Sequence, residues 1–412
     1  MVFKCQSDSF LKEFTSKVVS CNEGKLVTVV DGKEQTLNGY EVILDDTILF
    51  PEGGGQPADH GVINDSKVLH VKRVADKAIH FVDKPLKVGD EAKQNVNWVR
   101  RFDHMQQHSG QHLLSAIIER DYGFDTVSWY LGEHVSYIEL DTPSFDSKQI
   151  ESTENKVNEL IQLALKVTVE VYQSIEEIKD KNVDIGGLPD DHVGDIRVVK
   201  IDGIDNNKCC GTHVTNISQL QVIKLLGTEK SKRKNKVLLH FLVGDRVIKR
   251  LDTCLNRESQ LTVLLKNNAV EHVNLVDKLL KNVKILTKDL QTVLKELVVF
   301  EAAKFKAISP QPKYYILHRK EAEADFMQSF IKEVGPTDTL LFLSVGDDKT
   351  TGNILMRGTE SVVSELSEKV LELLNGKGVV KQNCLNAKVT NMKGRSKVAT
   401  YLNEYFKKLD LV

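Results

Sequence analysis

Two pairs of residues in this sequence have the types and the spacing of ligands for one metal ion. In the segment RFDHMQQHSGQHL, His108 and His112 stand four residues apart. At about 3.6 residues per turn, this spacing places both imidazoles on one face of a helix, where two rings can hold one ion. In the later segment CCGTHV, Cys209 and His213 are also four residues apart. Three imidazoles and one thiolate suit Zn²⁺, so we predict one zinc ion per chain.

Either pair alone is more often incidental than functional, and the zinc prediction depends on both occurring in one chain. The segment is not a metalloprotease motif, because HExxH needs a glutamate where this chain has Ser109. His104 precedes His108 by four residues and can be a spare ligand, a substrate contact or a solvated helix residue. We favour a role other than metal ligand. Asp103 is the expected N-cap of this helix.

We predict that the four ligands lie in one α+β domain, which spans residues 96–244. The histidine helix continues with apolar residues at Leu113, Leu114, Ile117 and Ile118, which predict packing against a sheet. Strands are predicted at VSYIELD, VTVEVY, DIRVVKI and LQVIKLL, and a second helix near residues 147–165. The Cys209–His213 segment connects two of these strands. A helix and a strand connection must therefore meet at the metal.

Residues 1–95 predict a small β-barrel, because short β-rich segments alternate with turn signals such as Asp31-Gly32 and Asn38-Gly39. The segment FPEGGGQPADHG contains three consecutive glycines, Gly53, Gly54 and Gly55. Such a run serves either a tight hairpin turn or the close approach of a ligand to the backbone. A phosphate-binding P-loop fits this segment poorly, since no Gly-Lys-Ser/Thr follows.

Residues 245–308 predict a helical arm, and residues 309–412 a small C-terminal α/β domain with strands at YYILHR, LLFLSVGD and NILMRG and helices at 360–374 and 399–408. Apolar residues in the arm alternate three and four apart, which is typical of a coiled-coil seam and permits a homodimer. The seam consists of Val276, Leu279, Val283, Leu286, Leu290, Val293, Leu297 and Phe300.

The composition limits the classes of partner. The chain has 412 residues and a formal net charge of −2, so any contact with nucleic acid must come from local basic patches. Six scattered cysteines indicate a reducing compartment, and the sequence shows neither a signal sequence nor an apolar run long enough to span a membrane, so we expect a cytoplasmic protein. The most compact basic cluster, a candidate for tRNA contacts, consists of Lys230, Lys232, Arg233, Lys234 and Lys236.

The segments DDTILFPEGGGQPADHG, HMQQHSGQHLL, DIRVVKI and CCGTHV, in this order, resemble the freestanding alanyl-tRNA editing proteins of the AlaX family, long type, and the related editing domain of alanyl-tRNA synthetase. The resemblance is specific over about residues 40–245. It implies a zinc-dependent hydrolase that removes wrongly attached serine from tRNA(Ala). Because no aminoacylation core precedes the barrel segment, we expect the chain to edit without charging.

The resemblance also implies roles for single residues. The family's HxxxH and CxxxH motifs fall on His108, His112, Cys209 and His213. Its glycine loop falls on Gly53–Gln56, with Gln56 facing the acceptor end of the tRNA. Its threonine falls on Thr47, which the resemblance associates with recognising the seryl hydroxyl. A site that hydrogen-bonds this hydroxyl can reject its absence by roughly 10⁴–10⁵. The neighbouring Cys210 departs from the family's usual glycine, but the spacing to His213 favours Cys209 as the ligand.

Two other functions fit parts of the sequence. A zinc-stabilised tRNA-binding or scaffold protein without catalysis would explain the metal motif, the basic cluster and the coiled coil, but it leaves Thr47 and the glycine loop without a role. Editing of another tRNA, such as Ser-tRNA(Thr), would use the same HxxxH and CxxxH pattern. The sequence leaves open whether zinc is catalytic or positions the substrate, and whether Gly-tRNA(Ala) is also hydrolysed.

Overall fold

The computed structural model describes residues 2–30, 33–174, 177–178, 195–348 and 351–409. The chain divides into two compact units, Met1–Gln260 and Leu261–Val412. Both units mix helices and strands, which confirms the predicted α+β class. The finer boundaries expected near residues 95, 244 and 308 stay predictions. Within the described residues, no helix is both long enough and apolar enough to cross a bilayer.

The first unit begins with a closed barrel of six strands in the order β1-β2-β5-β4-β3-β6. After a short helix, α1 (Lys4–Ser7), its strands are β1 (Glu13–Val30), β2 (Lys33–Leu44), β3 (Gly61–Ile63), β4 (Ser66–Val74), β5 (Lys77–Val82) and β6 (Glu91–Val96). The predicted Asp31-Gly32 turn lies outside the described residues. The predicted turn at Asn38-Gly39 is wrong, because both residues lie within β2. A Cβ on Gly39 would come within 2.5 Å of the Val82 carbonyl oxygen, so this glycine serves close strand packing.

The part of the first unit that contains the four predicted metal ligands, called the metal-bearing part below, is built on a long helix, α2 (Trp98–Tyr122). Its N-cap is Asn97, whose side chain accepts a hydrogen bond from the Arg100 amide. The prediction that Asp103 caps this helix is therefore wrong, since Asp103 lies in its second turn. The helix ends at Gly123, which has a left-handed φ of 69°. A second helix, α3 (Ser147–Gln162), begins with a capping box between Asp146 and Gln149.

Two sheets accompany these helices. The first is four-stranded, in the order β12-β13-β8-β7, and the second is three-stranded, in the order β11-β10-β9. Their strands are β7 (Thr126–Leu131), β8 (Ser136–Leu140), β9 (Val167–Tyr172), β10 (Ile196–Ile201), β11 (Asp205–Lys208), β12 (Ile223–Lys230) and β13 (Val237–Val243). A 3₁₀ helix spans Ile217–Leu220. The apolar residues predicted on α2, Leu113, Leu114, Ile117 and Ile118, are all buried in the shared core. This packing fixes the histidine-bearing face of the helix.

A helix α4 (Asp245–Leu265) follows β13, and the second unit contains the longer helix α5 (His272–Lys306). The remaining elements are β14 (Tyr314–Arg319), α6 (Ala324–Val334), β15 (Leu340–Val345), β16 (Gly352–Arg357), α7 (Glu360–Leu374), β17 (Gly376–Lys381), β18 (Cys384–Val389) and α8 (Arg395–Leu409), with short 3₁₀ helices at Ala269–Glu271 and Met392–Gly394. Five strands form one sheet in the order β14-β15-β16-β18-β17. The C-terminal α/β prediction is confirmed, although α6, β17 and β18 were not predicted.

The predicted coiled-coil seam lies on α5. Seven of its eight residues are exposed: Val276, Leu279, Val283, Leu286, Leu290, Val293 and Phe300. The eighth, Leu297, packs partly against the core that α5 shares with α6. Because the structure contains a single chain, the coiled coil stays a prediction.

Candidate metal centre

Helix α2 supplies two of the four predicted ligands and holds them inside the first unit. His108 and His112 are both buried, and their ring centroids are 5.3 Å apart. Cys209 and His213 approach from the segment that follows β11. The ligand atoms of all four residues lie within 4.8 Å of one another. The two pairs read from the sequence therefore form one cluster.

The Cys209 sulfur lies close to two imidazole Nε2 atoms. It is 3.3 Å from Nε2 of His108 and 3.2 Å from Nε2 of His213. In a tetrahedral zinc site, bond lengths of about 2.3 Å to sulfur and about 2.05 Å to nitrogen separate these atoms by about 3.5 Å. The cluster therefore has the size and the donor set of a tetrahedral metal site. Cys209, rather than Cys210, is the cysteine within it.

Each histidine of the cluster uses its other ring nitrogen to contact the protein. Nδ1 of His108 lies 2.9 Å from Oε1 of Gln56, in the glycine loop. The same oxygen accepts a hydrogen bond from the Thr212 amide, and the Gln56 side-chain amide donates to the Thr212 hydroxyl. Gln56 is fully buried, and these contacts fix its side chain. It therefore orients the ring of His108. The expectation that Gln56 faces the acceptor end of a tRNA is not supported by this position.

The other two rings are held in the same way. Nδ1 of His112 lies 3.0 Å from a carboxylate oxygen of Asp205, and Nδ1 of His213 lies 3.0 Å from the hydroxyl of Ser109. Ser109 thus occupies the glutamate position of a HExxH motif but contacts another ligand. With their Nδ1 atoms engaged, the imidazoles have Nε2 left for a metal ion. Asp205 could not be identified from the sequence, because it lies 93 residues from His112 and belongs to no motif.

The electrostatics of the cluster match the protonation states of metal ligands at Cys209, His108 and His213, but not at His112. Burial alone raises the pKa of Cys209, but the rings of His108, His213 and His112 outweigh burial and bring this pKa well below its usual value. Burial keeps the pKa of His108 below its ordinary value and that of His213 well below it. Burial also lowers the pKa of His112, but Cys209 and Asp205 outweigh burial and raise it to about 10. Binding of a metal ion would release the proton from His112.

The glycine loop packs directly against this cluster. Gly54 and Gly55 have positive φ angles of 57° and 80°. A Cβ on Gly54 would lie 2.6 Å from the sulfur of Cys210, and one on Gly55 would lie 2.8 Å from the ring of Trp129. That ring in turn lies 4.6 Å from the ring of His108. The glycines therefore serve both a tight turn and a close approach, and the neighbours approached are protein side chains beside the cluster.

Known proteins resemble this chain over its full length. The family model described as "Threonyl and Alanyl tRNA synthetase second additional domain" matches residues 196–239, which include Cys209 and His213. The alanyl-tRNA editing protein Aarsd1-B of Xenopus laevis is 45% identical over 411 residues, covering 100% of this chain and 99% of the relative. Aarsd1 of Mus musculus is 46% identical, covering 98% of each chain. The chain belongs to the alanyl-tRNA editing protein family.

A more distant alanyl-tRNA editing protein, AlaX-L of Pyrococcus horikoshii, is 28% identical and covers 93% of each chain. Its similarity extends through the barrel, the metal-bearing part and the C-terminal unit. The similarity to this relative therefore extends well beyond residues 40–245, over which the sequence motifs are specific.

Thr47 of this editing protein does not lie at the cluster. Its side chain is only 1% exposed. Its hydroxyl lies 2.8 Å from Nε2 of His80 and donates to Oε1 of Gln94 at 2.8 Å. It also accepts a hydrogen bond from the Leu49 amide at 3.0 Å. With these contacts the hydroxyl stabilises the barrel interior, and direct recognition of a seryl hydroxyl by Thr47 is not supported by its position.

A buried ion pair that the sequence did not suggest joins the glycine segment to α2. Arg101 and Asp59 are both 0% exposed, and Nε of Arg101 donates to Asp59 at 2.9 Å. The guanidinium also donates to the carbonyl groups of Ser9 and Ile48. Because His108 and Gln56 lie on the two segments that this pair connects, the pair keeps the ligand helix in register with the loop.

The predicted basic cluster lies at the hairpin between β12 and β13. Lys230, Lys232 and Lys234 are exposed. Arg233 forms an ion pair with Glu139 at 3.1 Å, and Lys236 forms one with Asp141 at 2.5 Å. Three of its five cations thus project into solvent, and contact with tRNA stays a prediction for them.

His104 does not belong to the ligand group found among the described residues. It is 4% exposed, and its Nδ1 is buried without a hydrogen-bond partner. Burial, together with the nearby charge of Arg100, lowers the pKa of His104 to about 3, so its ring is neutral. The sequence favoured a role other than metal ligand, and the geometry agrees with this.

Proposed function

We propose that this chain hydrolyses the ester bond that joins wrongly attached serine to tRNA(Ala), in a site that depends on one zinc ion held by His108, His112, Cys209 and His213. The observation that carries the proposal is a cluster of three imidazoles and one thiolate in a chain whose full-length relatives are named alanyl-tRNA editing proteins. The described part of the chain supplies all four ligands from one unit.

The donor set fits zinc, since a thiolate with imidazoles is a common ligand combination for this metal. When bound, zinc would supply a Lewis acid that polarises a carbonyl group or lowers the pKa of a water molecule toward about 7. The residues of this chain do the positioning. Gln56, Asp205 and Ser109 hold the three rings, and Trp129 closes one side of His108.

The proposed partner is tRNA(Ala), and the proposed location is the cytoplasm. All six cysteines are free, which fits a reducing compartment. The exposed apolar row on α5 supports a homodimer through this helix as a further part of the proposal. We propose that the barrel and the metal-bearing part, about residues 1–244, act together as the editing module, because the glycine loop of the barrel contacts the cluster.

The test is deacylation of Ser-tRNA(Ala), Ala-tRNA(Ala) and Ser-tRNA(Thr) by the full chain with its zinc content measured. We expect serine to be released from tRNA(Ala) at least about a hundredfold faster than either alternative substrate is hydrolysed. Release of serine mainly from tRNA(Thr) would show that Ser-tRNA(Thr), and not Ser-tRNA(Ala), is the substrate. No release from any of the three, with tRNA still bound, would favour the tRNA-binding module without catalysis.

A matched pair of variants tests the metal. Cys209→Ala should lose zinc and lower the deacylation rate by at least about a thousandfold, whereas Cys210→Ala should keep both. The two cysteines are adjacent in sequence, but only the first lies in the ligand group. Normal hydrolysis by the zinc-free Cys209 variant would overturn the zinc dependence.

A further inference from the structure

A large cleft in the first unit is lined by none of the four ligands and by none of the residues that hold their rings. Its volume is about 1020 Å³, and it runs between α2, the β7–β8 hairpin and α4 in the first unit. The side chains that matter for its chemistry are Arg100, His104, Tyr130, Arg246, Lys249 and Arg250. We call it the α2–α4 cleft.

Positive charge predominates in the α2–α4 cleft. Its lining contains four cations and two carboxylates, those of Asp103 and Glu133. Asp103 is already paired with Arg246 through two hydrogen bonds of 2.7 Å. Arg246 also donates to the Gly132 carbonyl oxygen at 2.6 Å, so it joins the three walls of the cleft. The charge of Arg246 is thereby neutralised by Asp103 within the protein.

The other three cations remain available to a ligand. Arg100 donates through Nε to the Ala58 carbonyl oxygen at 3.0 Å. Within the described ranges, no ion pair involves Arg100, Lys249 or Arg250. Three cations on adjacent walls of one cleft favour a ligand with several separated negative charges, as in a phosphodiester chain.

An exposed aromatic side chain in the cleft fits a nucleic acid better than a small anion. Tyr130 is 54% exposed at the cleft, and its ring lies 5.5 Å from that of Tyr137, which supports it from one side. An exposed and supported aromatic ring can stack on a base.

The α2–α4 cleft also adjoins the two segments that supply His108 and its partner Gln56. His104 precedes the ligand His108 by one helical turn, which is about 6 Å along α2. Pro57, which lines the cleft, directly follows Gln56, the residue that holds His108. An RNA strand lying in the cleft would thus run beside the segments that hold the metal cluster.

We propose that the α2–α4 cleft binds the RNA strand whose 3′ end carries the ester, with Arg100, Lys249 and Arg250 on its phosphates and Tyr130 against a base. The inference rests on the proposed function, because that function makes a 3′-aminoacylated RNA the substrate. It differs from the basic cluster on the β12–β13 hairpin, which presents its lysines on an exposed turn.

The test measures binding of deacylated tRNA(Ala) to the full-length, zinc-loaded chain at several salt concentrations. Lys249→Ala with Arg250→Ala should weaken binding about tenfold and reduce the slope of log K against log salt by about 1.4 to 1.8. The matched control, Lys17→Ala with Lys148→Ala, removes two exposed lysines of the same unit outside the cleft and should leave both quantities unchanged.

A second variant tests the uncharged side of the cleft. Tyr130→Ala should weaken binding about fivefold or more without changing the salt slope, because stacking involves no phosphate. Zinc content and thermal melting of each variant establish that the fold is retained. The proposal would be overturned if Lys230→Ala combined with Lys232→Ala weakened tRNA binding while the cleft variants bound tRNA as the wild type does.

Binding and hydrolysis separate the two proposals. If the wild-type chain binds deacylated tRNA through the cleft but hydrolyses no aminoacyl ester, the proposed function fails and the cleft stands. If it hydrolyses Ser-tRNA(Ala) while the cleft variants bind tRNA as the wild type does, the cleft proposal fails and the function stands.

Discussion

The metal cluster and the exposed face of α5 differ in the kind of side chain that each buries or exposes. At the cluster, polar residues are buried, and each imidazole Nδ1 has a partner within the same chain. On α5, large apolar residues at coiled-coil spacing are exposed along several turns. A buried polar site must be complete to be stable, whereas an exposed apolar row indicates a missing partner. The rings of the cluster are thus held from within the chain, whereas the apolar face of α5 is left in solvent.

The largest effect should come from breaking the buried ion pair behind the cluster. Arg101→Met leaves the Asp59 carboxylate buried without a counter-charge, which should cost about 3–5 kcal/mol in the free energy of unfolding. Urea unfolding of the variant measures this loss. Arg101→Met combined with Asp59→Asn should recover part of it, because the uncompensated charge is gone. Equal losses in the single and double variants would show that this charge is not the cause.

The next effect concerns the carboxylate that holds His112. Asp205→Asn weakens the acceptor for Nδ1 and should lower zinc affinity about 10–100-fold, with little effect on folding. Competition with a zinc chelator measures this affinity. Asp202→Asn, an exposed neighbour, is the control and should bind zinc as the wild type does. Unchanged affinity in the Asp205 variant would mean that its contact does not orient the ring.

A smaller effect is expected in the barrel. Thr47→Val leaves the Leu49 amide and the side chains of His80 and Gln94 without one partner, which should cost about 1–3 kcal/mol in the free energy of unfolding. The ratio of serine to alanine release should stay the same, because the hydroxyl is enclosed. Thr36→Val, on an exposed position of the same barrel, is the control. A selective loss of serine release at normal stability would restore Thr47 as the recognition residue.

The smallest effect on chemistry should follow from changing α5. Leu279→Lys with Leu286→Lys puts charges into the predicted seam and should raise the dissociation constant of a homodimer at least about tenfold, while zinc content stays the same. Sedimentation at several protein concentrations measures self-association. A wild-type chain that is monomeric throughout would contradict the homodimer, and the α5 face would then need another partner.

The sequence predicted the parts of the site that depend on local spacing. Two ligand pairs four residues apart could be read directly, because helical geometry fixes where such residues lie. The roles of Gln56 and Asp205 in orienting histidine rings could not be predicted, since both residues are distant from α2 in sequence and only folding brings them to it. The capping role given to Asp103 failed because an asparagine six residues earlier begins the helix and Asp103 pairs with the distant Arg246.

The fold shows the same division between local and distant information. Helix α7 was predicted with its observed limits, because its apolar spacing is regular. Strand β17 was not predicted, since GKGVVK contains two glycines and two lysines, and its pairing with β18 decides its structure. Gly39 was misread as a turn because the need for glycine there comes from the neighbouring strand.

X-ray absorption at the zinc edge of the wild-type chain tests the central claim most directly, because it counts the ligand atoms around the bound metal. We predict one zinc ion per chain with one sulfur at about 2.3 Å and three imidazole nitrogens at about 2.0–2.1 Å. Two sulfur ligands, or a shell of oxygen atoms without sulfur, would contradict the site formed by His108, His112, Cys209 and His213.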